Sequence, residues 1–102
     1  MVLAEFAIFP MDKGVSLSPY VARVLDIIDQ SGLAYKLTPM ATIMEGEWKD
    51  VLKVVDQCYR ALDRDCDRVI VHLRVDARKR RKNAIEGKVR SVERKVGRKL
   101  KK

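Results

Sequence analysis

Thr38-Pro-Met-Ala-Thr-Ile-Met-Glu-Gly-Glu-Trp48 carries the sharpest change of pattern in the chain. Up to Thr38 the residues alternate between apolar and polar, as in a strand. From Met40 to Glu45 they alternate again. After Gly46 the apolar residues recur with the period of a helix. Pro39 has no N–H to give to a strand ladder, so it belongs at a turn, and Gly46 marks the exit from the strand. The stretch therefore predicts a hairpin over 33–45 and a helix that begins at Glu47. It also contains the only tryptophan and two of the four methionines. Polar Thr38, Thr42, Glu45 and Glu47 are interleaved there with large apolar side chains, which makes it the first candidate for a ligand-facing segment.

Upstream, Leu33–Thr38 reads as the hairpin's first arm, with Leu33, Tyr35 and Leu37 on one face. Ser18-Pro19 is a helix start: serine at the N-cap accepts a backbone N–H, and proline at the next position loses no hydrogen bond. That helix runs to about Gln30, buries Val21, Val24, Leu25 and Ile28, and ends at Gly32, which takes the left-handed conformation. Ser16 and Ser18 read first as caps; a helix N-terminus with converging N–H groups can also hold an anion. Val2–Phe9 alternates as a first strand. Val2, Ala4, Phe6 and Ile8 form its buried side, and Leu3, Glu5, Ala7 and Phe9 its other side. Glu5 either points to solvent and pairs across a sheet, or contacts a ligand on an open sheet face.

Downstream, the second helix spans about Glu47–Leu62, with an apolar stripe of Trp48, Val51, Leu52, Val55, Tyr59 and Leu62. Asp63, Asp65 and Asp67 alternate like the start of a calcium loop. The glycine that such a loop needs is Arg68 and its closing glutamate is Arg74, so calcium is excluded. Arg68–Asp76 is a fourth strand with Val69, Val71, Leu73 and Val75 inward. It carries His72, the sole histidine, with no partner spacing for a metal site or a catalytic triad. A basic run, Arg78–Lys82, leads into a third helix over about Asn83–Leu100. Its apolar seam of Ile85, Val89, Val92, Val96 and Leu100 is one residue wide and suits packing on its own domain or on a second subunit.

The chain's 102 residues form one domain, residues 1–102, with 47% hydrophobic and 35% charged residues. No apolar run reaches the ~20 residues of a membrane span. The N-terminal segment lacks the basic start of a signal peptide. Cys58 and Cys66 make no disulfide framework, and a reducing cytoplasm fits. The net charge of +8 is an average of two unlike parts: residues 78–102 hold 13 Lys/Arg against 2 Glu, and residues 1–77 hold 9 Lys/Arg against 12 Asp/Glu. A mildly acidic domain thus carries a strongly basic C-terminal segment, and any nucleic-acid function rests on that segment.

Strand, helix, strand, strand, helix, strand is the ferredoxin-like α+β plan, βαββαβ, here with an additional C-terminal helix. Its usual strand order puts the first and third strands at the centre and both helices on one face. The other face then needs a cover, and pairing of sheets between subunits supplies one.

Ser16-Leu-Ser-Pro-Tyr-Val-Ala22, followed by Tyr35-Lys-Leu-Thr-Pro-Met-Ala-Thr-Ile-Met-Glu-Gly-Glu-Trp48, resembles the small YkoF-like thiamine-binding proteins along nearly the whole chain. The resemblance implies a ferredoxin-like fold and tetramers built as pairs of sheet-packed dimers. It also implies binding of thiamine or its hydroxymethylpyrimidine part, and no catalysis. The pyrimidine needs hydrogen-bonding side chains, the thiazolium a carboxylate or an aromatic face, and both need apolar walls. Ser18, Thr42 and Glu45 are the ligand-binding residues by motif correspondence, and Glu5 on chemistry. Ser16 adds a hydroxyl, and Met40, Met44 and Phe9 provide walls. Gly46 and Trp48 are assigned to the turn and the helix core. The expected site lies on a sheet face closed by another subunit. No metal or cofactor is expected beyond the ligand itself.

The competing function is nucleic-acid binding through the basic 78–102 segment. RNA binding on the open sheet requires central aromatics; Leu3, Glu5, Ala7, Ile70, His72 and Arg74 stand there instead. An acyl-phosphate hydrolase on the same fold requires an arginine loop after the first strand, where Met11-Asp-Lys-Gly14 stands.

Overall fold

In the computed structural model, which describes residues 1–80 and 83–102, the first strand, β1 (Val2–Pro10), alternates strictly between buried and half-buried positions. The alternation follows from the pleat, which sends successive side chains to opposite faces. Val2, Ala4, Phe6 and Ile8 are each at most 6% exposed. Helix α1 (Ser18–Gln30), strands β2 (Ala34–Leu37) and β3 (Thr42–Gly46), helix α2 (Trp48–Asp63), strand β4 (Val69–Ala77) and helix α3 (Ala84–Val96) follow. The four strands form an antiparallel sheet in the order β2-β3-β1-β4. The ferredoxin-like plan with a C-terminal helix is therefore the fold, and β1 and β3 are its centre. Arg81 and Lys82, part of the basic run noted in the sequence, lie outside the described residues.

Helices α1 and α2 cover one face. Val24 and Ile28 of α1 and Val51, Val54, Cys58 and Leu62 of α2 meet Phe6, Ile8 and Met44 of the sheet in one core. Each fully buried large apolar side chain contributes about 1.5–3 kcal/mol, so this face holds the domain together. Burial pushes the Cys58 thiol up to about 12, leaving it an inert core group. Arg23 on α1 clamps the two helices. It donates to the Ala61 carbonyl at 2.9 Å and to both oxygens of Asp65 at 2.9 and 3.2 Å. Its hydrogen bond lowers the Asp65 carboxyl below the usual range.

Several boundaries differ from the sequence expectations, each for a physical reason. Ser18 is the first residue of α1 and does not cap it; Leu17 holds the cap position with no side-chain cap bond. The Leu17 carbonyl accepts from Tyr20 and Val21, and its side chain is half-buried, so burial of Leu17 sets the helix start in place of serine's capping preference. Met40 lies in the turn, not in β3. Thr38 closes that turn twice, with its N–H to the Ala41 carbonyl at 2.9 Å and its hydroxyl to the same oxygen at 2.7 Å. The hairpin thus turns over Pro39 and Met40, and pairing begins at Leu37↔Thr42.

Trp48 is 54% exposed and is not part of the α2 core. The buried arc of α2 centres on Val51, Val54, Cys58 and Leu62, which turns Trp48 and Tyr59 to its flank. Gly46 does end β3, and a β-carbon there would come within 2.7 Å of Leu33 Cδ2. Gly32, at φ 82°, ends α1 as expected. Helix α3 stops at Val96, capped by Gly97; beyond it the Leu100 N–H and Lys102 bond back to the Glu93 carboxylate at 2.6 and 2.8 Å. Both partners lower the Glu93 carboxyl, Lys102 more.

Candidate functional site

Antiparallel register assigns each strand residue to a face. Val2 pairs with Gly46, Ala4 with Met44 and Phe6 with Thr42, so Thr42 and Met44 point to the helices. Leu3 pairs with Glu45 and Glu5 with Ile43, so Glu45 and Glu5 point the other way. Thr42 and Glu45 therefore lie on opposite faces of the sheet, on the same strand. The expected set of Ser18, Thr42, Glu45 and Glu5 cannot meet on a single sheet face.

On the helix side, a cavity of about 170 Å³ lies at the end of the core between α1 and the β2–β3 turn. Phe6 and Ile8 form its floor, Leu17, Val21 and Val24 its α1 wall, and Leu37 and Met40 its turn side; Thr42 lies among them. Two anchors hold the α1 wall. Arg23 is tied to Asp65, as above. The loop before Leu17 is pinned by Asp12, whose carboxylate accepts the Asp67 N–H at 2.8 Å and the Arg68 N–H at 3.3 Å. The Asp67 bond is the main cause that keeps the Asp12 carboxyl below its usual range.

Thr42 is 4% exposed, yet its hydroxyl bonds to no described residue. It is not a sealed polar atom; it keeps access to the cavity. By contrast the Thr38 hydroxyl is spent on Ala41. Around the mouth Val21, Leu37 and Met40 are 41%, 56% and 88% exposed. The site is thus an apolar, ring-sized recess with one free hydroxyl in its lining and an apolar rim. Its lining contains no acid or base.

The other expected residues fall elsewhere. Met40 lines the cavity, and Phe9 borders it although strand alternation assigns Phe9 to the opposite face. Ser16, on the approach to α1, and Ser18, its first residue, are exposed on either side of Leu17 and outside the lining. Met44 is fully buried in the core. The Glu5 carboxylate lies 3.2 Å from His72 Nε2 on the open face. Glu45 is 6% exposed and accepts the Ala84 N–H at 2.6 Å. It supplies the cap that α3 otherwise lacks, since Asn83 makes no side-chain cap bond, and its negative charge suits the N-terminal end of the helix dipole.

Sequence reasoning missed Leu17 and Leu37 as cavity walls. The signal for the recess was present at Val21: an apolar residue on the inward stripe of α1 that the fold leaves uncovered. Among the described residues no group of three metal-ligating side chains forms, and no helix is long and apolar enough to cross a membrane.

A family model described as thiamine-binding protein matches residues 4–93. The chain is similar to the UPF0045 protein MJ1052 of Methanocaldococcus jannaschii, at 33% identity over 89% of this chain and 91% of the relative. It is also similar to the UPF0045 protein YqgV of Bacillus subtilis, at 34% identity over 90% of this chain and 94% of the relative. The crystal structure of the Methanocaldococcus protein superposes with a TM-score of 0.83, covering 89% of this chain and 94% of that one. A candidate thiamine biosynthesis/salvage protein of Thermotoga maritima, 24% identical, shares the fold with a TM-score of 0.78 over 89% of this chain and 97% of that chain.

Proposed function

The chain belongs to the thiamine-binding protein family, and on that premise we propose that it binds thiamine, or the hydroxymethylpyrimidine part of it, in the cavity beneath α1 and performs no catalytic step. The observation that carries the reading is the Thr42 hydroxyl, which is 4% exposed, unbonded by the protein and open to an apolar recess. A hydroxyl there can both donate to a ring nitrogen and accept from an amine, the two groups on the edge of an aminopyrimidine.

Size argues in the same direction. An apolar cavity of about 150 Å³ takes one benzene ring, and sites for drug-sized ligands run to roughly 300–1,000 Å³. The recess at about 170 Å³ therefore suits one heterocycle. The pyrimidine enters, and the thiazolium stays at the apolar rim of Val21, Leu37 and Met40, with Ser16 and Ser18 the nearest hydroxyls along the chain. A second protomer resting on that rim completes the enclosure. The functional unit in this reading is a homotetramer, a dimer of dimers, working in the cytoplasm; the free thiols of Cys58 and Cys66 suit a reducing compartment.

Calorimetric titration with thiamine and with hydroxymethylpyrimidine tests the proposal. Both are expected to bind, and Thr42→Val is expected to weaken each by about 1 kcal/mol or more, roughly fivefold, through loss of a buried hydrogen bond. Absence of heat and of any thermal shift with either compound, in a ligand-free preparation, overturns it. Light scattering on the same sample reads the tetramer.

A further inference from the structure

The C-terminal segment has a charge that the rest of the molecule does not answer. Lys88 is matched by Asp76 at 2.6 Å, Arg90 by Glu86 at 2.6 Å and Lys102 by Glu93 at 2.8 Å. Arg94, Lys95, Arg98, Lys99 and Lys101 are exposed and meet no carboxylate among the described residues, and the same holds for Arg78, Lys79 and Arg80. Arg94 and Lys95 in the last turn of α3 complement the negative end of its dipole. That accounts for two of these cations. The others repel one another and cost stability in the isolated chain.

Their placement is directional. Helical period sets Arg94 opposite the seam of Ile85, Val89, Val92 and Val96, while Arg90 borders the groove beside Ile85 and Val89. Ile85 and Val89 are half-buried, with β2 residues Tyr35 and Lys36 across a shared groove. Ile85 and Val89 thus turn to the protein, while Val92 and Val96, 50% and 43% exposed, and Arg94 turn to solvent. Residues 84–102 contain no aromatic, asparagine or glutamine side chain, so α3 and its tail have no aromatic ring to stack on an unpaired base and no side-chain amide to read an adenine edge. It also lacks the bulky Trp, Phe or Leu face by which an interfacial helix enters a bilayer. What remains is a row of point charges suited to a regular row of opposite charges.

We infer that this segment binds the phosphate backbone of double-helical nucleic acid without sequence preference. Duplex DNA carries one negative charge per ~1.7 Å of axis. Helix α3, with 13 residues, is about 20 Å long at ~1.5 Å per residue, so it and the following tail span on the order of ten phosphates. Binding releases condensed counterions and relieves the self-repulsion of the segment. This activity is independent of the ligand cavity, which lies on the helix-covered face.

The test is a fluorescence anisotropy titration of the full chain into a labelled mixed-sequence duplex of about 30 base pairs, at roughly 50 and 200 mM salt. Binding is expected at the lower salt, with a loss of about a hundredfold or more at the higher. The combined variant Arg94→Glu, Lys95→Glu, Arg98→Glu, Lys99→Glu is expected to abolish it while thiamine titration stays unchanged, with fraying confined to the last turn of α3, where two dipole-complementing cations are reversed. A milder variant beyond the helix end, Arg98→Gln with Lys99→Gln and Lys101→Gln, guards against misfolding. It should lower the slope of log affinity on log salt by up to about three. No binding at the lower salt, affinity in both variants equal to that of the unsubstituted chain, tighter binding of a single strand, or binding of phosphatidylglycerol vesicles without binding of the duplex each overturns the inference.

Discussion

The two faces of the sheet manage polar groups in opposite ways. On the helix-covered face the centre of the sheet is apolar and sealed. Phe6 is 1% exposed and Met44 0%, and the buried hydroxyl of Thr42 bonds to no described residue. On the open face polar groups are abundant and their acids are matched: Glu5 with His72, Asp76 with Lys88, Glu45 with the first N–H of α3. The richer array of charges is therefore the less available for a ligand. An unbonded group in a dry place has more to gain from a partner than an exposed charge that water and neighbours already satisfy.

The largest test of this contrast is Phe6→Ala. Phe6 anchors the helix-covered face, and its loss should cost about 3–5 kcal/mol, read as a fall in the urea midpoint at unchanged slope. A cost under about 1 kcal/mol would show that the core does not rest on this face as described. Glu45→Ala comes next, with an expected cost of about 1–3 kcal/mol because the Ala84 N–H is left unsatisfied. Hydrogen exchange should localise the loss to α3, with thiamine affinity retained. Affinity falling with no loss of protection in α3 would transfer Glu45 from helix cap to ligand contact. Glu5→Gln is the smallest. Its pair with His72 is about half exposed on both sides, so stability should move by less than about 1 kcal/mol and affinity not at all. A several-fold loss of affinity would place the ligand on the open face and break the contrast.

Much of this was legible in the chain. The alternation of Val2–Phe9, the pattern change around Pro39 and Gly46, and the valine-rich period of the second helix each carry their own geometry, because pleat and helix periods are local. The same locality explains the misses. Ser18 is a good cap by type, yet the burial of Leu17 moved the helix boundary. Trp48 fits an apolar stripe, yet the arc of α2 that packs is chosen by α1 and the sheet. Thr42 and Glu45 were paired as ligand residues by motif correspondence; strand alternation alone already put them on opposite faces.

The sequence by itself determined the order of elements, the inward side of β1 and the segregation of positive charge into residues 78–102, since these depend on neighbours along the chain. Only the tertiary structure decided which polar groups were left over. Glu45 is satisfied by a backbone N–H thirty-nine positions away. Thr42 is unsatisfied because the residues that surround it, from β1, α1 and the β2–β3 turn, bring it no partner. A hydrogen bond is a property of two groups in space, and half of each answer lay in another part of the chain.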